Sequence, residues 1–331
     1  MSKPKRHHYV PQCYSEKFAN AAGYLYLYDK WEDRAFPSKP ADALAIGNLY
    51  RQPVHAEKRF DVGIEKFFSD VEKHWPSIFK AIAQKETISQ EQWGNLVEFI
   101  SAQIVRVPLC LNSVIELLRY DALGAVDQIE LSPLPPELSA FLEKKGKQPT
   151  IKLRSMIEDD LDSLNIDPHR CLTSLPLLVK AIPIFRPGFS FGIPKFLHNK
   201  SNLKFVSSDN PAIFFSGRPD SKKYHPHEIQ NHNSFTFFFP LSPDLAMVNR
   251  PFDSKNAMHS EIWDDARVAL MNRAISAFSY RYVISGEEKL CIGFGRRSYR
   301  RCPRPIYDRS SVLDGNVAHI CLLYTSDAAD E

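Results

Sequence analysis

The chain has 331 residues, of which 44% are hydrophobic and 12% aromatic. A chain of this size can bury one large core or two modest ones, and its longest apolar runs fall far short of the roughly 20 residues that span a bilayer. The formal net charge of +3 is too small to indicate a nucleic-acid partner by itself. The composition predicts an ordinary globular protein and excludes a transmembrane helix.

The six cysteines are scattered and never occur as a CxxC pair. Such spacing favours reduced thiols over a disulfide framework or a structural zinc site. The basic N-terminal residues lack the apolar stretch of a signal peptide. We therefore expect a cytoplasmic protein without a bound metal, and the sequence identifies no cofactor.

The segment 6–12 concentrates chemically able side chains in a few positions: Arg6, His7, His8, Tyr9 and Gln12. Pro11 prevents this segment from being helical, because its ring fixes φ and restricts the preceding residue. Adjacent residues of an extended segment point to opposite faces. The two histidines are therefore not expected to bind one metal together, and only one of them should face a pocket.

Two strands and two helices are predicted next. Aromatic residues over 24–29 favour a strand, with 35–40 returning beside it. From about residue 57, apolar residues recur at intervals of three and four, which predicts a long helix kinked or restarted near Pro76. A capping box begins the next helix at Ser89, and Pro108 ends or bends it.

Beyond residue 180 the pattern becomes that of a sheet. A helix is predicted over about 260–279 among short apolar runs bounded by Asn, Asp, Pro and Gly. The predicted strands are 205–207, 212–215, 235–239, 245–248 and 281–285.

Strands at both ends with helices between them predict an α+β fold. Its helical middle section should be followed by a mixed or antiparallel sheet built from the C-terminal strands and the N-terminal segment. We expect a single domain over residues 1–320, helical at about 57–180 and β-rich at about 181–300. Residues 321–331 resemble translated sequencing-adapter read-through and are expected not to be native.

The histidines are the first candidates for chemistry. As a general acid or base, His7 or His8 needs a carboxylate or carbonyl to fix its tautomer. Asp209 lies between two predicted strands and is the best candidate partner. The alternatives are a structural strand with a hydrogen-bonded histidine, and an Asx turn closed by Asn210 and Pro211.

A second candidate cluster is predicted between two helices. Gln103 and Arg106 are three residues apart and share a helix face, and Glu65 and Glu72 share a face of the preceding helix. Together they could form a buried polar cluster. The alternative is a structural salt-bridge network.

A run of arginines near the C-terminus resembles a phosphate-contacting patch with an interleaved aromatic, Tyr299. The alternative is a solvated arm. The loop 224–232 is rich in metal-capable side chains, but its spacing matches no zinc signature. GxGxxG, GxxxxGK[ST], HExxH and GxSxG motifs are absent, so nucleotide-fold, zincin and serine-hydrolase hypotheses lose their usual support. The arginines proposed to contact nucleic acid or phosphate are Arg296, Arg297, Arg300 and Arg301.

Several of these stretches together resemble one bacterial family, catalogued as domain of unknown function 4238. The similarity covers about residues 5–286, with Cys13 and Ser15 departing from the usual aromatic and Leu. The family brings no established activity, but the resemblance implies that the polar candidates belong to a shared site. The motifs that carry it are residues 7–12 with Tyr14 and Phe18, 48–50, Glu65 and Glu72, 103–108, 208–211 and 240–243.

Two functional hypotheses follow. The first is a hydrolase acting on a phosphate-containing substrate or nucleic acid, with His7 or His8 as acid/base, Asp209 orienting it and Arg106 stabilising negative charge. The second is a non-catalytic binding or sensor module in which the same residues form a buried network. The residues expected to bind the substrate in the first hypothesis are Gln12, Gln103, Asn210 and Glu72.

Overall fold

The computed structural model describes residues 6–47, 49–50, 63–110, 144, 195–213, 236–248 and 258–289, and the backbone of several short strands outside these ranges. The helices are α1 (Gln12–Ser15), α2 (Gly63–Glu72), α3 (Trp75–Ala83), α4 (Gln90–Arg106) and α5 (Asp265–Phe278). The first strands are β1 (Arg6–His8), β2 (Leu25–Asp29), β3 (Arg34–Ser38), β4 (Ala45–Gly47), β5 (Gln52–Pro53) and β6 (Phe60–Asp61). The next are β7 (Lys195–Asn199), β8 (Ser207–Ser208), β9 (Ile213–Ser216), β10 (Lys223–Tyr224), β11 (Phe235–Ser242) and β12 (Leu245–Val248). The last are β13 (His259–Ile262), β14 (Tyr282–Ser285), β15 (Arg304–Ile306) and β16 (Leu323–Thr325).

The predicted starts of α3 near Pro76 and of α4 at Ser89 are confirmed, whereas the predicted starts of α2 and α5 are wrong. Ser89 Oγ accepts the Gln92 N–H at 3.1 Å, and Gln92 Oε1 accepts the Ser89 N–H at 2.8 Å, so the capping box begins α4. Pro76 lies in the first turn of α3, where its missing N–H costs nothing. The helix predicted from about residue 57 begins at Gly63, because β6 precedes it, and β13 takes the first turn of the helix predicted at 260.

Two sheets carry the fold, which is α+β as predicted. The larger has strand order β13, β7, β12, β11, β9, and it is mixed because β13 runs parallel to β7 while the other pairs are antiparallel. The smaller has order β3, β2, β14, β8 and is antiparallel throughout. The pairing of β2 with β14 confirms that the N-terminal part returns to the C-terminal strands. The histidine-bearing β1 pairs instead with β4.

The five-stranded sheet separates two hydrophobic cores. Successive side chains of a strand point to opposite faces, so Phe237 and Phe239 of β11 enter the core that contains α2, α3 and α4, whereas Phe238 enters the core packed against α5. β12 follows the same alternation, with Met247 on the first face and Val248 on the second. This sheet, buried on both faces, is therefore the middle layer of a three-layer structure.

Among the residues that the structure describes, no helix is long and apolar enough to cross a membrane. Near the C-terminus, the backbone of β16 pairs with β15 and with β10. β16 lies within the segment that the sequence predicts to be adapter read-through. A paired strand would stabilise the protein, whereas a non-native tail would not. A truncation separates them.

If residues 321–331 are not native, as the sequence predicts, their removal should leave the melting temperature unchanged, because β16 pairs with β15 over only three residues and with β10 over two. Differential scanning calorimetry of the full chain and of the chain ending at Ile320 measures this directly. The control replaces the tail with a Gly/Ser segment of equal length. A fall of more than a few degrees, equivalent to about 1 kcal/mol, would show that β16 stabilises the protein.

Candidate functional site

His7 is held on every side by the segments around it. It is 3% exposed, and its Nδ1 accepts the backbone N–H of Tyr50 at 2.8 Å. An accepting Nδ1 places the ring proton on Nε2, which faces Glu65 Oε2 at 3.5 Å. The ring also stacks on Tyr50, with ring centroids 5.1 Å apart. His7 is therefore the member of the pair that packs into the fold.

His8 points to the other face of β1 and is half-buried, as the alternation of an extended strand requires. Its Nε2 lies 3.2 Å from the backbone carbonyl of Ala41. Because a carbonyl only accepts, Nε2 carries the proton and Nδ1 keeps a lone pair. Burial lowers the pKa of His8, although the Ala41 carbonyl opposes that shift. A neutral imidazole with a basic Nδ1 results.

Arg106 and Gln103 of α4 both bind the backbone carbonyl of Tyr9. Gln103 Nε2 donates to it at 3.1 Å and Arg106 Nε at 3.0 Å. Arg106 Nη1 donates to Glu72 Oε1 at 2.7 Å, and the guanidinium lies over the Phe68 ring at 5.0 Å. The predicted cluster between two helices is thus formed, and it fastens the residue after β1 to α2 and α4.

Two buried polar atoms of this cluster have no hydrogen-bond partner among the described residues. They are Arg106 Nη2 and Gln103 Oε1, a donor and an acceptor. Buried polar groups in proteins are nearly always satisfied by protein, water or ligand. Arg106 Nη1 pairs with the Glu72 carboxylate at 2.7 Å, and Glu65 Oε2 lies 3.5 Å from His7 Nε2. The described part of the cluster therefore carries no excess positive charge.

Two further side chains border this cluster. Gln12, predicted to bind substrate, is exposed, and its Nε2 donates to Glu16 Oε1 at 2.9 Å. Cys13 is half-buried near Glu72 and Arg106, and burial, reinforced by Glu72, raises the pKa of its thiol to about 12. A thiol that stays protonated is a poor nucleophile, so Cys13 is not a candidate for covalent catalysis.

Asp209 lies at a different junction, where the loop between α5 and β14 turns. Its carboxylate accepts the backbone N–H groups of Tyr280 at 2.8 Å, Arg281 at 2.6 Å and Tyr282 at 2.8 Å. Burial raises the pKa of Asp209 to about 6, and the three N–H groups oppose that shift. No described hydrogen bond joins Asp209 to His7 or His8. The expected histidine partner is replaced by three backbone amides.

Asn210 and Lys30 complete this junction. Asn210 Nδ2 donates to the Phe278 carbonyl at 3.0 Å. The ammonium of Lys30, itself buried, donates to the carbonyls of Ser276 at 3.0 Å and Ser279 at 2.9 Å. A cation at the C-terminal end of a helix is favourable because the last carbonyls carry partial negative charge. The side chains of Asp209 and Asn210 thus hold the end of α5 and do not close the Asx turn given as the alternative, and the local turn is made by Ser208 Oγ, which accepts the Asn210 N–H at 3.1 Å.

Tyr9 connects the two clusters. Its carbonyl is the shared acceptor for Gln103 and Arg106, while its buried phenol lies close enough to Asp209 to feel that charge. Burial, and secondarily Asp209, raises the pKa of Tyr9. Another contact crosses from the N-terminal segment to the sheet, since Tyr14 Oη lies 2.6 Å from the Pro240 carbonyl and 2.7 Å from Ser207 Oγ.

Sequence reasoning missed the pair His198 and His259, whose Nε2 and Nδ1 atoms lie 3.0 Å apart. They belong to no short motif, and only the parallel pairing of β7 with β13 brings them together. Within the described ranges, no three His, Cys, Asp or Glu residues are placed to hold a metal ion. The loop 224–232 and the side chains of the arginine run 296–304 lie outside the described residues.

The geometry defines an α+β protein whose polar motifs are gathered into two linked, largely buried clusters around its N-terminal segment. A family model described as "Protein of unknown function (DUF4238)" matches residues 6–289, and the chain belongs to this family. This match confirms the family that the sequence motifs indicate, and both clusters lie inside the matched range. No curated protein and no solved structure matches the chain.

Replacement of Asp209 by Asn tests the second cluster. The amide nitrogen introduced by Asp209→Asn would face backbone N–H donors, so we expect the free energy of unfolding to fall by about 2 to 4 kcal/mol. Asp244→Asn is the matched control, because Asp244 is 62% exposed and forms a surface ion pair with Lys204, and it should cost less than about 1 kcal/mol. Equal losses in urea unfolding would contradict the role given to Asp209.

Proposed function

We propose that the protein is a non-catalytic binding or sensor module for a phosphate-containing ligand, with nucleic acid as the first candidate. The observation that supports this proposal is the state of the candidate site. Arg106, Gln103 and Asp209 are each only 1% exposed. Most of their polar atoms bind backbone groups of neighbouring segments. Side chains bound in this way stabilise the fold and are not free to act on a substrate.

The network gives a binding module what it needs, which is a fixed frame for its contact segments. A buried polar network favours one arrangement of the chain, because other arrangements leave more of its buried groups unsatisfied than Arg106 Nη2 and Gln103 Oε1. Here the arrangement fixes Tyr9 against α4 and fixes the turn after α5 against Asp209. Binding residues commonly lie on loops positioned by such a frame.

The proposed contact residues follow the last strand of the smaller sheet. β14 ends at Ser285, and the arginine run begins further along the chain at Arg296. Arginines pair with phosphate through a planar fork of donors, and an interleaved tyrosine can stack on a base. We also propose a cytoplasmic location, because Cys13 and Cys110 are free thiols in the described part of the chain.

The salt dependence of nucleic-acid binding tests this proposal. Alanine at all four proposed arginines should weaken binding, and each lost phosphate contact should reduce the slope of log affinity against log salt by roughly 0.7 to 0.9. Fluorescence anisotropy with labelled single-stranded and duplex DNA and RNA over a salt series gives both quantities. The substituted residues are Arg296, Arg297, Arg300 and Arg301.

The control removes the same amount of charge from another surface. A second variant carries alanine at four exposed lysines of the N-terminal half, and its salt slope should match that of the parent. An unchanged slope in the arginine variant, or no binding by the parent, would remove nucleic acid as the ligand. The control residues are Lys39, Lys66, Lys73 and Lys80.

A hydrolase remains the second candidate, and one observation favours it. His8 Nδ1 keeps a lone pair with no described hydrogen bond, and Arg106 and Glu72 are close enough to act electrostatically on the His8 ring. In this hypothesis His8 is the acid/base and Arg106 Nη2 stabilises negative charge. Asp209 would then contribute through the fold, without touching the histidine.

The histidine variants separate the two candidates. If the site is catalytic, His8→Ala should lower the rate of phosphodiester or phosphomonoester hydrolysis by roughly 100-fold to 10,000-fold. His7→Ala should act mainly on stability, at about 1 to 3 kcal/mol, because it leaves the Tyr50 N–H unpaired. A general base must be neutral, so the lowered pKa of His8 implies a rate that falls with decreasing pH only below about 6.5. If both variants lose stability and the parent protein hydrolyses no phosphate ester, the hydrolase hypothesis is wrong and the binding-module proposal is retained.

A further inference from the structure

The strand β13 forms one edge of the five-stranded sheet. It stands first in the strand order and pairs with β7, which runs parallel to it. Trp263 follows the strand directly and is 69% exposed. An edge strand presents a row of backbone groups that can pair with a strand of another chain. The outer side of β13 is therefore a candidate interaction surface.

The hydrogen bonds to β7 show which backbone groups of β13 point outward. The carbonyls of Met258 and Ile262 accept the N–H groups of a β7 residue and of the residue that follows β7, each at 2.8 Å. The backbone groups of successive strand residues alternate between the two sides of the strand, so Ser260 also faces β7. His259 and Glu261 consequently turn their N–H and C=O groups away from the sheet.

These outward groups of His259 and Glu261 have no hydrogen-bond partner among the described residues. Edge strands are commonly protected by a proline, a lysine or a bulge, and the four residues of β13 contain none of these. The strand carries one charged side chain, Glu261, and its carboxylate is paired with Lys85 Nζ at 2.9 Å. The edge is therefore open to a further strand.

The sequence of β13 is complementary to itself about Ser260. When two copies of the strand run antiparallel with Ser260 opposite the same residue of the second copy, His259 of each copy lies opposite Glu261 of the other. The outward N–H and C=O groups of such a pair bind each other, and the two-fold axis repeats the pair. No like charges lie directly opposite each other in this arrangement, which is a condition for stable cross-strand pairing.

The neighbouring registers of two such strands are less favourable. A two-fold axis at Glu261 would place its carboxylate directly opposite the carboxylate of the second copy. An axis at Ile262 would place His259 opposite Asp265, where α5 begins and the chain is no longer extended. Its outward groups would then stay unpaired. Charge and backbone pairing therefore both favour the register centred on Ser260.

We propose that two copies of this chain form a symmetric dimer through β13, which joins their five-stranded sheets edge to edge with Ser260 on the two-fold axis. The exposed Trp263 at the end of the strand supports this proposal, because tryptophan is enriched in protein interfaces. The interface does not involve the network of Tyr9, Arg106 and Asp209. The dimer is therefore independent of the ligand proposed above.

Analytical ultracentrifugation of the full chain from about 1 to 300 µM measures the dimer. Glu261→Pro removes an outward N–H that the pairing with β7 does not use, and it should weaken dimerisation by at least about tenfold. Glu261→Ala is the matched control, because it loses the same carboxylate but keeps the N–H, and its affinity should stay within about twofold of the parent. A monomeric parent, a dimer that Glu261→Pro leaves unchanged, or equal weakening by both variants would overturn the proposal.

Ser260→Cys tests the register and does not depend on the folding of the proline variant. On the axis, residue 260 of each copy occupies a position without cross-strand hydrogen bonds, where the two Cα atoms lie about 4.5 Å apart and a disulfide can form. Mild oxidation should therefore give a covalent dimer on a non-reducing gel. Ser77→Cys, at an exposed serine of α3, is the control for the background of the native cysteines. Cross-linking of Ser260→Cys no greater than that of the control would contradict the proposed dimer.

Discussion

The structure depends on the burial of the Arg106 guanidinium. The desolvation free energy of a buried ion must be offset by close hydrogen bonds and an opposite charge, and loss of one partner of such a pair costs about 3 to 5 kcal/mol. Arg106 meets this demand with the Tyr9 carbonyl, the Glu72 carboxylate and the face of Phe68. These partners come from separate segments. The N-terminal segment is held in its position because the buried Arg106 of α4 needs the Tyr9 carbonyl as a hydrogen-bond acceptor. The partial exposure of His8 and the burial of His7 are consequences of that docking.

A second constraint is the five-stranded sheet, which is apolar on both faces. Buried backbone groups where the sheet and α5 terminate need polar partners. Asn199 of β7 supplies some of them, since its Nδ2 donates to the carbonyls of Leu203 and Pro243, and neighbouring segments supply those at the end of α5. Asp209 binds three amides of the turn after α5, and Lys30 binds two of the last carbonyls of that helix. Charged residues are used here because each makes several short bonds to backbone groups.

The sequence allowed the elements with local signals to be predicted, and it failed where pairing is long-range. The capping box of Ser89 and the short apolar run 245–248 can be recognised in the sequence because their causes lie within a few residues. The cluster of Glu72 and Arg106 could be anticipated from helical spacing. The partner of Asp209 could not, because its three amides lie more than 70 residues away and have no side-chain signature. The contact of His198 with His259 depends on a parallel pairing that no periodicity encodes.

The charges around His8 bear on whether the N-terminal cluster can bind an anion. Arg106 and Glu72 both act on the His8 ring, and Glu72 also pairs with Arg106 at 2.7 Å, so an incoming anion meets little attraction there. His8 is a neutral ring that keeps Nδ1 as an acceptor, with no excess of positive charge beside it. The N-terminal cluster is therefore better suited to fixing the chain that surrounds it than to attracting an anion.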